Sequence, residues 1–212
     1  MSFRFVDIDD AEMTRRREVV EPLTDAVRDL LDAVIRTEVP DSEIADAAES
    51  VRAVTERLRR VQRDGPYGVE YTRTRTGMPW GNPAVGVRNA VAPPMRVDVA
   101  DDGSRCSEVN LGAAYEGPPG LVHGGVSALL LDHLLGEAAG ADGTPSFTGS
   151  ITLRYVAAAP LGTVHLRART DRISGPKKFV SGTLSSGDDV CVEADAVFVI
   201  PRWARPTEPT AT

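Results

Sequence analysis

Two features of the stretch from His123 to Ala139 could do chemistry. The first is Asp132, which stands in an apolar run among Leu129, Leu130, Leu131, Leu134 and Leu135. A carboxylate among leucines is costly unless it is paired, hydrogen-bonded or open to a cavity, and aspartate is a poor helix former. The position suits a bond to a nearby backbone group or an arginine, and equally a functional carboxylate facing a substrate cavity. The second feature is His123-Gly124-Gly125, which opens the same run. Paired glycines let a ligand approach the backbone closely. A helix N-terminus adds unpaired N–H groups and a partial positive charge. Such an end can stabilise the oxyanion formed when a carbonyl is attacked; it can also be a tight turn that needs glycine only for steric reasons.

Spacing relates the two. Asp132 lies eight residues beyond Gly124, which is about 12 Å along an α-helix. Both groups cannot reach one carbonyl at hydrogen-bond range across that distance. The simplest arrangement in which both act is a two-fold dimer with two composite sites, where Gly124 of one chain faces Asp132 of the other.

The surrounding elements follow from hydrophobic periodicity. Residues 1–65 read as helical. Thr24 is the expected N-cap of a first helix carrying Val27, Leu30, Leu31, Val34 and Ile35. Pro40 and Asp41 break the pattern, and a second amphipathic helix follows, with Ile44, Val51, Val54, Leu58 and Val61 on one stripe. The pair reads as an accessory or dimer-stabilising hairpin. Residues 66–94 are rich in glycine and proline and read as a linker. From residue 95 the period becomes two. Met95, Val97 and Val99 lead to a turn at Asp101-Asp102-Gly103, then to a strand with Val109 and Leu111. After the apolar helix come four more strands, around Ile151, Val164, Phe179 and Val190 to Ile200, and Pro201 stops the last. The expected fold class is α+β: an antiparallel sheet wrapped around one central helix over residues 95–203, with an N-terminal helical extension and a disordered tail at 204–212.

Composition narrows the partners. The chain has 212 residues and a formal net charge of -7, which argues against a general nucleic-acid binder. Cys106 and Cys191 show no metal-ligand spacing, so neither a disulfide framework nor a bound metal is expected. Met1 to Asp10 does not show the basic-then-apolar pattern of a secretion signal, so none is expected, and no apolar run approaches the roughly 20 residues needed to span a bilayer. The expected location is the cytoplasm, without a membrane partner.

The run Glu116-Gly117-Pro118-Pro119-Gly120-Leu121-Val122-His123-Gly124-Gly125, followed by Asp132, resembles the PaaI-type acyl-CoA thioesterases of the hotdog superfamily. Supporting pieces are Thr148-Gly149-Ser150-Ile151-Thr152-Leu153-Arg154-Tyr155, Pro160-Leu161-Gly162 and Glu193-Ala194-Asp195-Ala196-Val197-Phe198. The resemblance covers about residues 85–200 and leaves out the N-terminal helices. It implies the hotdog fold and an acyl-CoA substrate, with coenzyme A as part of the substrate and no other cofactor. It also implies a homodimer or a dimer of dimers. Asp132 would be general base or nucleophile, Gly124 or Gly125 the oxyanion donor, and His123 a shaper of the turn or a carbonyl polariser. Thr148 would orient water or the carboxylate, with Ser146 and Ser150, expected on the same strand face, as alternatives. Lys177 and Lys178 would meet CoA phosphates.

Two departures stand out. Gly117 occupies a position where many relatives carry Asn, and Gly175-Pro176-Lys177 replaces a Gly-Arg-Lys motif. Two other readings follow. One is a hotdog hydratase or dehydratase, suggested by Asp132-His133 although the Asp-x-Asn-Pro-x-x-His pattern of those enzymes is absent. The other is a non-catalytic acyl-CoA-binding protein.

Overall fold

The structure, a computed structural model, describes residues 4–205. The chain divides into two compact units, one ending at Ala92 and one beginning at Pro93.

In the first unit, β1 (Arg4–Phe5) leads into α1 (Asp10–Arg36) and α2 (Asp41–Arg59), followed by β2 (Glu70–Tyr71) and β3 (Gly77–Met78). α1 starts earlier than periodicity suggests. Its N-cap is Asp9, whose side chain accepts from the Glu12 N–H at 2.9 Å, so Thr24 lies inside the helix rather than at its start. Thr24 is buried, and its hydroxyl donates to the Val87 carbonyl at 2.7 Å. The carboxylate cap decides the start because it satisfies an end N–H, a task a mid-helix threonine does not have. The helix runs through Pro22. The Gly/Pro-rich segment is folded as part of this unit: Met78 and Trp80 form a small core with Ile8, against which Val6, Met13, Tyr67 and Val87 pack.

The second unit is built on one sheet. Its strands are β4 (Asp98–Val99), β5 (Arg105–Leu111), β6 (Phe147–Tyr155), β7 (Gly162–Ser174), β8 (Lys177–Ser186) and β9 (Asp189–Val199), with α3 (Gly124–Ala139) between β5 and β6. The six strands are antiparallel in the order β4-β5-β7-β8-β9-β6. α3 packs against β5 to β9, so the sheet wraps the helix as the hotdog arrangement requires. Leu130, Leu131, Leu134 and Leu135 are all fully buried, and each such side chain contributes roughly 1.5–3 kcal/mol by leaving water. Their inward neighbours on the strands include Leu111, Val164, Leu166, Val180 and Leu184. The first strand is shorter than expected: pairing begins only at Asp98, because Pro93 and Met95 form a turn instead. Residues 206–212 of the expected tail lie outside the described residues.

The C-terminal end of α3 needs donor partners, since its last carbonyls have none within the helix. Lys178 supplies them. Its side chain is 1% exposed, and its ammonium donates to the Ala139 carbonyl and the Asp142 carboxylate at 2.6 Å each and to the Thr144 carbonyl at 3.2 Å. Thr170 adds a bond to the Ala138 carbonyl at 3.0 Å. Burial would raise the Asp142 carboxyl, but the hydrogen bonds from Lys178 and Thr144 outweigh it and hold the group below its ordinary range.

A depressed carboxylate stabilises the fold above its unfolded pKa and loses that contribution as pH falls. Thermal stability should therefore drop as pH falls below about 4. Lys178→Met should cost about 2 kcal/mol at neutral pH and flatten this acid dependence; differential scanning calorimetry across pH reads both effects. An unchanged acid dependence in the variant would show that Lys178 is not the source of the shift.

Candidate active site

The candidate residues gather at two places on α3. At mid-helix, Asp132 is half-buried and turned toward β6. The Thr148 hydroxyl donates to its Oδ1 at 2.9 Å. No arginine takes this carboxylate among the described residues, so its partner is the neutral hydroxyl. Thr148 itself is exposed, and β6 is the last strand of the sheet. The carboxylate therefore sits at an open sheet edge, hydrogen-bonded on one side and reachable from the other.

Thr148 reaches Asp132 through an irregularity in β6. Thr148 pairs with Phe198 and Ser150 pairs with Val197, so Gly149 is an extra residue in the strand. Phe198 is buried, and its ring lies under Gly136 of α3; its pair Thr148 accordingly faces the helix. Beyond the bulge the alternation is shifted by one. Ile151, Leu153 and Tyr155 take the helix side, and Ser150 is carried to the opposite face. The expectation that Ser150 shares the face of Thr148 is thus corrected: strict alternation ends at a bulge. Glycine is needed there, since a Cβ at 149 would stand 3.0 Å from the Val199 side chain and 3.1 Å from the Val197 carbonyl oxygen. Ser146 lies just ahead of β6 and is half-buried.

The second place is the helix start. His123 is the N-cap, and its Nδ1 accepts from the Gly125 N–H at 2.9 Å. The Tyr155 hydroxyl donates to the Gly124 carbonyl at 2.8 Å. Together they hold both faces of the Gly124–Gly125 peptide. Among the described residues no acceptor meets the Gly124 N–H, which leaves it as the available donor of the pair. A cavity of about 440 Å³ opens beside it, lined by Leu121, Gly124, Ser127, Tyr155, Val156 and Val192. Its walls are largely apolar, as an acyl chain would need.

Gly117, the departure at the Asn position, has a steric reason. A Cβ there would lie 2.8 Å from the His123 Cα. The loop is drawn in by bonds from the Gly117 N–H to the Leu121 carbonyl and from the His123 N–H to the Tyr115 carbonyl, both 2.9 Å. No side chain fits between the loop and the N-cap, so this chain cannot present an asparagine there without moving His123.

The lysines do not join the site as expected. Lys178 is corrected from a phosphate ligand to an internal tie, because its three acceptors occupy the three donors of an ammonium. Lys177 is exposed at the start of β8. His133, next to Asp132 in sequence, makes no hydrogen bond to it: its Nε2 is buried without a hydrogen-bond partner and stands 3.6 Å from Glu137. Burial holds its imidazole below the ordinary range, against the pull of Glu137 and Asp132. Tyr155 is the site residue that sequence reasoning passed over. The signal was its place in the alternating row with Ile151 and Leu153, which carries its hydroxyl to the start of α3.

Comparison with known proteins bears on the family and the fold. A family model described as Thioesterase superfamily matches residues 119–193. The chain is similar to acyl-coenzyme A thioesterase THEM4 of Xenopus laevis, at 35% identity over 91 residues, covering 42% of this chain and 41% of that protein. THEM4 of Mus musculus is 34% identical over 91 residues, covering 42% of this chain and 39% of that protein. The chain thus spans about two fifths of the length of these curated relatives. A crystal structure of a thioesterase superfamily protein superposes with a TM-score of 0.77 at 34% identity, covering 85% of this chain and 90% of that one. A Bacillus halodurans protein crystallised with CoA shares the fold alone, at 17% identity and a TM-score of 0.50, covering 78% of this chain and 97% of that one.

The packing at Gly117 makes a test of this loop. Gly117→Ala should destabilise the second unit by about 1–3 kcal/mol through overpacking, and shift the His123 imidazole resonances. Gly120→Asn is the control: Gly120 has φ +75° with nothing within 4 Å of an added Cβ, and asparagine tolerates that conformation. Equal losses of melting temperature in the two variants would count against a steric role specific to Gly117.

Proposed function

The chain belongs to the thioesterase superfamily, and from that premise we propose that it hydrolyses an acyl-CoA thioester to a carboxylic acid and free CoA. The observation that carries the reading is the Thr148–Asp132 hydrogen bond at an open sheet edge, with the Gly124 N–H unoccupied at the start of the same helix. The acyl-coenzyme A thioesterases among the similar proteins support the substrate class.

In the proposed reaction, Thr148 fixes Asp132 by donating to Oδ1, and the remaining lone pairs of the carboxylate face the reaction centre. Asp132 removes a proton from water as the water oxygen attacks the thioester carbonyl carbon, or it attacks that carbon itself to give an anhydride that water then opens. Either way the carbonyl oxygen becomes an oxyanion, and a Gly124 N–H at the positive end of a helix stabilises it. The C–S bond breaks, and the CoA sulfur leaves and is protonated. Hydrolysis in H₂¹⁸O under single-turnover conditions reads the route, since an anhydride that water opens at the Asp132 carbonyl leaves an oxygen of Asp132 in the first product and ¹⁸O on the enzyme.

The role of Gly124 requires a second chain, because it lies about 12 Å along α3 from Asp132 of its own chain. The exposed edge strand β6, with Asp132 and Thr148 beside it, offers the place where a second copy can bring its helix start. His123 serves this geometry by occupying the Gly125 N–H, and Tyr155 by holding the Gly124 carbonyl. The reading sets the reaction in the cytoplasm; among the described residues no helix is long and apolar enough to cross a membrane.

Two measurements test the proposal. Asp132→Asn should lower kcat/KM for acyl-CoA by about 10²–10⁴-fold, measured as release of free thiol. Thr148→Ala should cost about tenfold and Thr148→Ser should recover most of it, as a positioning role requires. CoA binding without turnover in the wild-type protein would overturn hydrolysis in favour of a binding function.

The composite site is tested by complementation. Gly124→Pro removes the N–H, while proline suits the first position of a helix; the preceding residue, His123, already has φ −61° and ψ 129°, which proline tolerates. Each of Gly124→Pro and Asp132→Asn should be nearly inactive alone. Subunit-exchanged mixtures should regain about a quarter of wild-type activity, because half the dimers carry one intact site. Mixtures that stay inactive, or an active monomer in sedimentation, would refute the shared site.

A further inference from the structure

α2 is a helix without a partner in its own unit. None of its residues is buried, and within the unit it packs along no other helix or strand of the described residues. Yet its apolar residues are ordered: Ile44, Ala47, Val51, Val54 and Leu58 recur at alternating steps of three and four, and the step continues to Val61. That spacing is the seam of a coiled coil, and its four large members stand 40–53% exposed within the helix. A helix of 19 residues is marginal by itself in water, because helices in proteins draw most of their stability from packing an amphipathic face.

Charge identifies what covers the seam. Over residues 41–49 α2 carries Asp41, Glu43, Asp46 and Glu49 and no base; over 50–60 it carries Arg52, Arg57, Arg59 and Arg60 against a single Glu56. The helix dipole rewards acid in the first turn and base in the last. It does not account for Glu49 and Arg52, which lie between the terminal turns. α1 mixes both signs along its length and sets no such direction.

We propose that α2 pairs in antiparallel orientation with α2 of a second copy of this chain. A parallel pair would lay acid on acid and base on base. The antiparallel pair lays the acidic half of each helix on the basic half of the other. The seam pairs along its whole length in one register. Val51 meets Val54 of the partner subunit, Ala47 meets Leu58 of the partner subunit, and Ile44 meets Val61 of the partner subunit just past the helix end. The smallest seam residue thus faces a large one, which keeps the layers even in volume. The arrangement is two-fold symmetric and closes on itself.

Disulfide trapping tests it on the full chain with Cys106→Ser as background, since Cys191 is buried. Ala47→Cys and Leu58→Cys chains, one lengthened by a tag, are co-expressed and oxidised. The expected result is a mixed disulfide-linked dimer at several times the yield of either variant expressed alone. Strong self-linking of the single variants would indicate a parallel or random encounter, and absence of the mixed product would show that something other than a second copy covers the helix; either overturns the proposal. Thioester hydrolysis is assayed in the same samples, so loss of the link with activity intact rejects the helix pairing and leaves the catalytic reading standing.

Discussion

A carboxylate on the central helix of a wrapped sheet is the constraint on which the rest of the second unit depends. α3 is buried along most of its length by leucines and alanines, and a charge on such a helix must keep a hydrogen bond and a route to water. Asp132 meets both needs because it faces the edge strand and not the middle of the sheet. Thr148 supplies the bond, and the open side of β6 supplies the route. Had the same carboxylate been one residue earlier or later on the helix, it would have pointed about 100° away: Leu131 there is fully buried, and His133 holds a buried nitrogen without a hydrogen-bond partner.

The two ends of α3 are held so that this direction is kept. At the C-terminal end, Lys178 and Thr170 bind the last carbonyls from β8 and β7. At the N-terminal end, His123 caps Gly125 and Tyr155 binds the Gly124 carbonyl. A helix tied at both ends to the sheet cannot turn about its axis without breaking charged or buried bonds. The same ties leave one N–H at the start of the helix without an acceptor. The geometry of the candidate site and the stability of the fold therefore rest on the same few contacts, and the cost of a buried lysine is offset by its three acceptors, one of them a carboxylate at the rim.

Much of the candidate site was legible in the chain of residues. An aspartate inside a leucine run and a His-Gly-Gly at its start marked the two places on α3 where the candidate residues gather, and the switch from a period near four to a period of two outlined strand, helix and strand in order. Three particulars were not legible. Thr24 looks like a helix cap because of its residue type, yet Asp9 wins since it stands where the first N–H groups need an acceptor. Ser150 looks like a neighbour of Thr148 because alternation is assumed, yet a glycine bulge between them moves it to the other face. Lys178 looks like a surface cation because lysines usually are, yet strand pairing brings it beneath the helix end.

What the sequence by itself determined is what depends on residue type and local spacing. The central helix, the strand periods, the carboxylate, the glycine-rich helix start and the segregated charges of α2 all belong to this class, because each is set within a few residues. The tertiary structure alone decided which groups meet. The pairing of Thr148 with Asp132, the exclusion of a side chain at 117 by His123 and the choice of Gly124 over Gly125 as the free donor each join residues through strand order, a bulge or a loop closure. Contacts of that kind depend on where distant segments come to rest, and no local pattern carries that information.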